Sequence, residues 1–210
     1  MSEPSCAAVI LAAGASLRLG QAKQLLAIAG EPLLRRAVRI AGEVGCQPII
    51  VVLGFEAHRM HSAFDGFRVI VAVNEDWRTG MGSSMRSGVE TALRISPPPE
   101  DILLMVCDQV RLSVDVLRQL LHRHGLAKYP ITAARYSGRL GVPAVFSSIF
   151  FSDLQNVSGD RGARGILERN AARVGAVDFL EGEFDLDTPD DLKRSTAFSG
   201  TAKWCPKLDL

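Results

Sequence analysis

The residues best placed to do chemistry are Arg18 and Lys23, which follow an unbroken apolar run over residues 7–13 and a turn at Gly14. A polyanion reaching this stretch would meet two fixed positive charges, and main-chain N–H donors left open around Ser16 and Gly20. That is a phosphate loop, although not of the two common kinds. A Walker A loop places Lys directly after Gly and before Ser or Thr, whereas Lys23 lies three residues beyond Gly20 and precedes Gln24; the Gly-x-Gly-x-x-Gly dinucleotide pattern is also absent. The opposite charge arrives at Asp108, at the end of residues 101–107, the most apolar strand of the chain. A carboxylate at the mouth of a buried strand, on the rim that carries a phosphate loop, suits the Mg²⁺ that accompanies a triphosphate. Ser113 is better placed to cap the helix that follows, which leaves Asp108 little purely structural work. Asp185 and Asp187 alternate on an extended segment and so point the same way. Arg161 and Arg164, with Gly159 and Gly162 beside them at a predicted helix start, suit a second anionic group, or serve equally as surface charges on a loop.

Holding these groups on one rim requires a particular frame. Residues 7–13, 48–53, 68–73, 101–107 and 174–180 read as buried strands, and residues 32–44, 56–64, 84–94, 114–124 and 158–170 as helices between them. Residues 131–135 and 143–146 bracket a turn-rich link of hairpin character. Apolar strands alternating with helices imply an α/β fold, a three-layer αβα sandwich whose mostly parallel sheet binds ligands at the carboxyl ends of its strands. Leu11, Val73 and Cys107 then share a rim, and Thr188 with Pro189 opens a last helix.

At 210 residues the chain suits one domain, expected over residues 1–198 with a loosely ordered tail at 199–210. The 24 basic and 23 acidic residues give a net charge of +1, which offers nucleic acid or an anionic membrane no general attraction. Cys6, Cys46, Cys107 and Cys205 are scattered without zinc spacing, and the four histidines read as surface or packing residues. With no apolar run near the ~20 residues of a membrane span and no signal-peptide pattern, the expected location is the cytoplasm.

The spacing Leu-Ala-Ala-Gly-x-Ser-x-Arg-x-Gly-x-x-Lys from Leu11 to Lys23 resembles the signature loop of nucleotidyltransferases with the nucleotide-diphospho-sugar transferase, Rossmann-like fold. Within that group the chain looks most like molybdenum cofactor cytidylyltransferases. Further motifs follow in family order: Asp108-Gln109, Gly141-x-Pro143-x-x-Phe146, Gly159-Asp160-Arg161-Gly162-Ala163-Arg164 and Asp185-Leu186-Asp187-Thr188-Pro189. Cys107 and Val110 stand where the family has Gly and Pro. The resemblance implies transfer of CMP from CTP to the phosphate of a molybdenum-pterin cofactor destined for a molybdenum hydroxylase. It implies a nucleotide pocket from Leu11, Ala12, Ala13, Gly14, Ser16, Arg18, Lys23, Asn74, Gly82, Ser83, Ser84 and Gly88, although Ser84 could equally be a helix cap. It further implies Mg²⁺ on Asp108 and Asp187, and an acceptor side from Gln109, Gly141, Pro143, Asp160, Arg161, Arg164 and Asp185. The family's guanylyltransferases carry Leu-Ala-Gly-Gly, so Ala13 favours CTP. Two rivals stand beside this: another nucleotidyltransferase, using GTP or a sugar, alcohol or isoprenoid phosphate, and a non-catalytic carrier of the pterin.

Overall fold

The computed structural model describes residues 6–16, 19–186 and 191 of the chain. Its strands and helices run in the order β1 (Cys6–Ala12), β2 (Ala27–Ile28), β3 (Glu31–Pro32), α1 (Leu33–Glu43), β4 (Ile49–Leu53), β5 (Ile70–Val73), α2 (Met81–Leu93), β6 (Asp101–Val106), α3 (Val114–Gly125), β7 (Ile131–Tyr136), β8 (Arg139–Ser147), α4 (Phe151–Gln155), α5 (Arg164–Arg169) and β9 (Val174–Asp178). Seven strands form one sheet in the order β5-β4-β1-β6-β8-β7-β9, and β2 pairs with β3 in a small separate ribbon. Only β8 runs against the rest of the large sheet, pairing antiparallel with β6 and β7.

The strand alternation explains why β1 is apolar throughout. Ala8, Ile10 and Ala12 face one layer with α1 and α3, while Ala7, Val9 and Leu11 face the other with α2, α4 and α5. Each helix turns its apolar stripe to the sheet: Leu34, Ala37, Val38 and Ala41 from α1, and Met85, Val89 and Ala92 from α2. A third, smaller cluster of Leu19, Leu26, Leu33, Val110 and Leu186 lies apart from both layers. It ties together the loop after β1, the loop after β6 and the segment following β9. No helix among the described residues is long and apolar enough to cross a membrane.

Several elements differ from the sequence expectation. Residues 56–64 form two short 3₁₀ turns, Ala57–Arg59 and His61–Phe64, because Glu56 adopts a left-handed backbone (φ 49°) that resets the chain. The expected helix over 158–170 is broken into the 3₁₀ turn Gly159–Arg161 and the six-residue α5, separated by Gly162 at φ 52°. Helix α2 starts at Met81 with Gly80 at its N-cap, so Ser84 sits inside the helix and caps nothing. The hairpin link is only Ser137-Gly138, both at positive φ as a tight two-residue turn requires, and β8 begins already at Arg139. The β7–β8 register slips where Ala133 pairs with Ala144 but Ala134 with Gly141. The bulge absorbs Val142 and Pro143, and Pro143, with no N–H to give a ladder, is tolerated there. Arg18, Asp187, Thr188, Pro189 and the tail at 199–210 lie outside the described residues.

Candidate functional site

The carboxyl ends of β1, β4, β5 and β6 open on one rim, where a cavity of about 320 Å³ is walled by residues 11–14 on one side and Val106, Cys107 and Asp108 on another. Lys23 and Asp108, 85 residues apart, meet there: Lys23 Nζ lies 2.5 Å from Asp108 Oδ2, with both side chains about 15% exposed. Leu19, Leu26 and Val110 fix this meeting by packing the two loops on one another. Val110 is thus accommodated by apolar contact. Ser16 Oγ accepts from the Lys23 backbone N–H at 3.2 Å and folds the loop back to bring Lys23 over the cavity.

Asp108 uses only one oxygen in that ion pair. Its Oδ1 is buried and has no hydrogen-bond partner, as are Gln24 Oε1 and Gln109 Oε1; these three are the unpartnered buried side-chain atoms among the described residues. An orphaned acceptor costs about 1–3 kcal/mol. Three such atoms along one rim make a region prepared for groups that bring donors or positive charge. Cys107, buried in the cavity wall, has its thiol pushed up to about 12 by burial and then by the neighbouring Asp108 charge, so it stays protonated and takes no part.

A second cavity of about 340 Å³ adjoins the first and shares Met81 and Asp160 with it. Gly141, Arg161, Arg164 and Asp185 line it, as expected of the acceptor side, together with Tyr136 and Arg139, which sequence reasoning did not single out. Gln109 braces its wall, donating from Nε2 to Val142 O (3.0 Å) and Gly182 O (3.1 Å). The β8 bulge leaves Val142 O available for this bond. Pro143 is not among the lining residues. Arg164 is paired with Glu168 at 2.8 Å. The Tyr136 hydroxyl is raised above the ordinary tyrosine value, by burial first and then by Asp185. Asp185 forms a β-bridge with Gln109, and Leu186 N donates to Asp108 O at 3.3 Å, which carries the second acidic segment to the first.

The other expected nucleotide residues divide into lining and support. Leu11, Ala12, Ala13, Gly14, Lys23 and Ser84 line the first cavity. Asn74 is buried beneath it and donates to Ser83 Oγ (2.9 Å) and Ser84 Oγ (3.0 Å). Gly82 lies against the Val157 carbonyl, where an added Cβ would come within 2.8 Å. Gly88 is not pocket wall: it lets α2 settle on β1 and β4, and a Cβ there would collide with Val9 and Val52. Trp77, Arg78 and Gly80 complete the rim without having been foreseen. A lone Trp in a polar, glycine-rich loop was the available signal. Trp77 is seated by Gly54, which has no Cβ to obstruct it, and its ring carries Arg78 Cζ at 4.4 Å.

A mostly parallel αβα sandwich with a lysine loop and an acidic strand end on one rim defines a nucleotidyltransferase. The chain belongs to the family of MobA-like NTP transferase domains, whose pattern matches residues 8–174. It is 33% identical over 205 residues to nicotine blue oxidoreductase of Paenarthrobacter nicotinovorans, covering 91% of this chain and 96% of that one. With purine catabolism protein PucB of Bacillus subtilis it shares 32% identity over 203 residues, again 91% and 96% of the two chains. The crystal structure of Rv0371c from Mycobacterium tuberculosis H37Rv superposes with a TM-score of 0.77 at 30% identity, covering 93% and 98%.

Proposed function

We propose that the chain transfers CMP from CTP to the phosphate of a molybdenum-bound pterin, with Mg²⁺ and release of pyrophosphate, in the cytoplasm, for insertion into a molybdenum hydroxylase. The observation that carries this reading is the half-buried Lys23–Asp108 pair, with Asp108 Oδ1 left unpartnered in the wall of the cavity. A lysine cation and a carboxylate with a spare oxygen are what phosphoryl chemistry needs side by side.

A hard divalent cation fits Asp108: it takes oxygen ligands, is satisfied by one or two carboxylates plus substrate phosphates and water, and would occupy an acceptor that now has no donor. Asp187 is the proposed second carboxylate. When bound, the cation neutralises triphosphate charge and polarises the phosphate under attack. Lys23 turns from Asp108 to an α-phosphate oxygen, and Arg18 takes the β and γ groups. The loop N–H groups near Ser16 and Gly20 add dipoles where charge gathers. Ser84, held by Asn74, and Gly82 with Ser83 behind it shape the wall for ribose and base, while Gly88 sets how closely α2 approaches the sheet. An acceptor phosphate with its second pKa near ~6 is already ionised at neutral pH, so no side chain need serve as general base. Gly141, Asp160, Arg161, Arg164 and Asp185 receive the acceptor in the second cavity, with Gln109 behind them and Pro143 shaping β8. Ala13, in Leu-Ala-Ala-Gly, favours CTP over GTP.

A thermal-shift panel with CTP, GTP, ATP and UTP, each with and without Mg²⁺, tests the nucleotide. CTP alone should raise the midpoint, and pyrophosphate release should then require the molybdenum-pterin acceptor. A shift led by GTP would replace CTP in the reading, and no shift with any nucleotide would leave the carrier.

A further inference from the structure

Gln24 is 1% exposed, follows the phosphate-loop lysine directly, and spends its carboxamide on the loop rather than on the core. Its Nε2 donates to Ala12 O and Gly14 O, each at 2.8 Å. Because both partners are carbonyls, the amide can only be oriented with nitrogen toward them. Phe55 N holds the carbonyl between them, Ala13 O, at 3.0 Å. Three successive carbonyls, from the last residue of β1 to two residues past it, are therefore fixed in direction where the ladder ends. In a trans peptide the N–H points opposite to the C=O, so drawing the Ala12 and Gly14 carbonyls to Gln24 turns the N–H groups of Ala13 and Ala15 away from it. Ala12, Ala13 and Gly14 all line the first cavity.

The same side chain leaves Oε1 buried with no partner. For stability alone a Met or Leu would serve better at a site this enclosed, and a rule of polar satisfaction broken next to a binding loop marks a functional demand.

We propose that Gln24 is a positioning residue that fixes the backbone of residues 12–15 and so sets the affinity and selectivity for the nucleoside triphosphate. This rests on the nucleotide-binding reading of the cavity and touches no reacting atom. Without the two carboxamide bonds the loop keeps its place but its N–H groups no longer share one direction, and discrimination between nucleotides, a difference of affinities, declines.

The test compares the full chain with Gln24→Met, which keeps the length and removes the donors. The unfolding midpoint of the unliganded variant should stay within about 3 °C of the parent or rise. Its Kd for the preferred nucleotide with Mg²⁺, by calorimetry, should rise about tenfold or more, the worth of one to two hydrogen bonds. Its preference over the other three nucleotides should shrink, and the nucleotide KM should rise by a larger factor than kcat falls. Gln24→Asn, too short to span both carbonyls, should fall between; it takes over the comparison if Gln24→Met does not fold. A folded variant with unaltered affinity and selectivity overturns the proposal, as does a loss of affinity with the preference ratio intact. If the parent protein binds none of the four nucleotides, the reading beneath the proposal fails, which is a different result from binding that ignores Gln24.

Discussion

The two ends of the sheet treat buried polar groups in opposite ways. At the amino-terminal end, His124 from α3 reaches Thr132 Oγ1 (3.3 Å) through Nδ1, and Asp101 Oδ1 (3.1 Å) and Ser147 Oγ (3.2 Å) through Nε2. Four polar side chains from α3, β6, β7 and β8 satisfy one another there. At the carboxyl end, Gln24, Asp108 and Gln109 each keep an oxygen that nothing satisfies. Both ends have buried polar residues, so polarity alone does not separate a site from a brace. Completion does: a closed network has been built for the fold, an open one for something the fold does not contain.

The strongest way to break this contrast is to alter the open end. Asp108→Asn and Lys23→Met should each lower nucleotidyl transfer by at least about a hundredfold, the effect of losing one charge-stabilising group. Both should keep a cooperative unfolding transition. The variants should differ in cation binding without nucleotide: Asp108→Asn loses it, whereas Lys23→Met releases Asp108 Oδ2 and tightens it, as Mn²⁺ titration by paramagnetic relaxation would read. An active Asp108→Asn protein would sink the metal assignment.

The closed end should respond in stability and not in turnover. His124→Ala leaves Thr132, fully enclosed, and Asp101 without their shared partner. A loss of about 2 kcal/mol follows, or a midpoint lower by about 5 °C for a chain of this size. Turnover per folded molecule should stay within about twofold of the parent, since a loss near 0.4 kcal/mol is the most an indirect effect at this distance should transmit. A large fall in kcat would mean that the far end is coupled to the site.

How far each end could be read in the sequence follows from the same distinction. The strands of the large sheet and the helices α1, α2 and α3 were legible because the core needs periodic apolar residues, and the αβα sandwich follows from their alternation, whereas the β2–β3 ribbon gave no sign. Lys23 and Asp108 were legible because charge beside an apolar strand has few other uses. Their pairing was not, since it depends on Leu19, Leu26 and Val110 joining two loops across 85 residues. Helix α4 gave no sign, being five residues long. The hydrogen bonds of Gln24 and His124 could not be read either, since a hydrogen-bond partner has no periodicity.

Gly88 sits between the two ends and tests the boundary between pocket and packing. Gly88→Ala forces a methyl toward Val9 and Val52, both part of the sheet under α2, and should destabilise the fold by about 1–3 kcal/mol. Nucleotide affinity should fall less than stability, as urea unfolding beside calorimetric titration would show. A loss confined to affinity would return Gly88 to the pocket wall.

The smallest effect belongs to a carboxylate that is satisfied but stands partly in water. Glu31 in β3 receives both Nε (2.9 Å) and Nη2 (2.9 Å) of Arg39, and this guanidinium holds its carboxyl below the usual range. A carboxyl depressed on folding contributes stability above its unfolded value and loses it as pH falls through the folded one. Glu31→Gln should therefore cost about 0.5–1 kcal/mol at pH 7, the range of an exposed pair, and the gap between variant and parent should close below about pH 4. High salt should narrow the pH 7 gap as well. Asp101, 18% exposed but set against the buried His124, should show less of that salt dependence; if it showed as much as Glu31, the closed network would be no better shielded than a surface pair, and its contrast with the open rim would rest on hydrogen bonding alone.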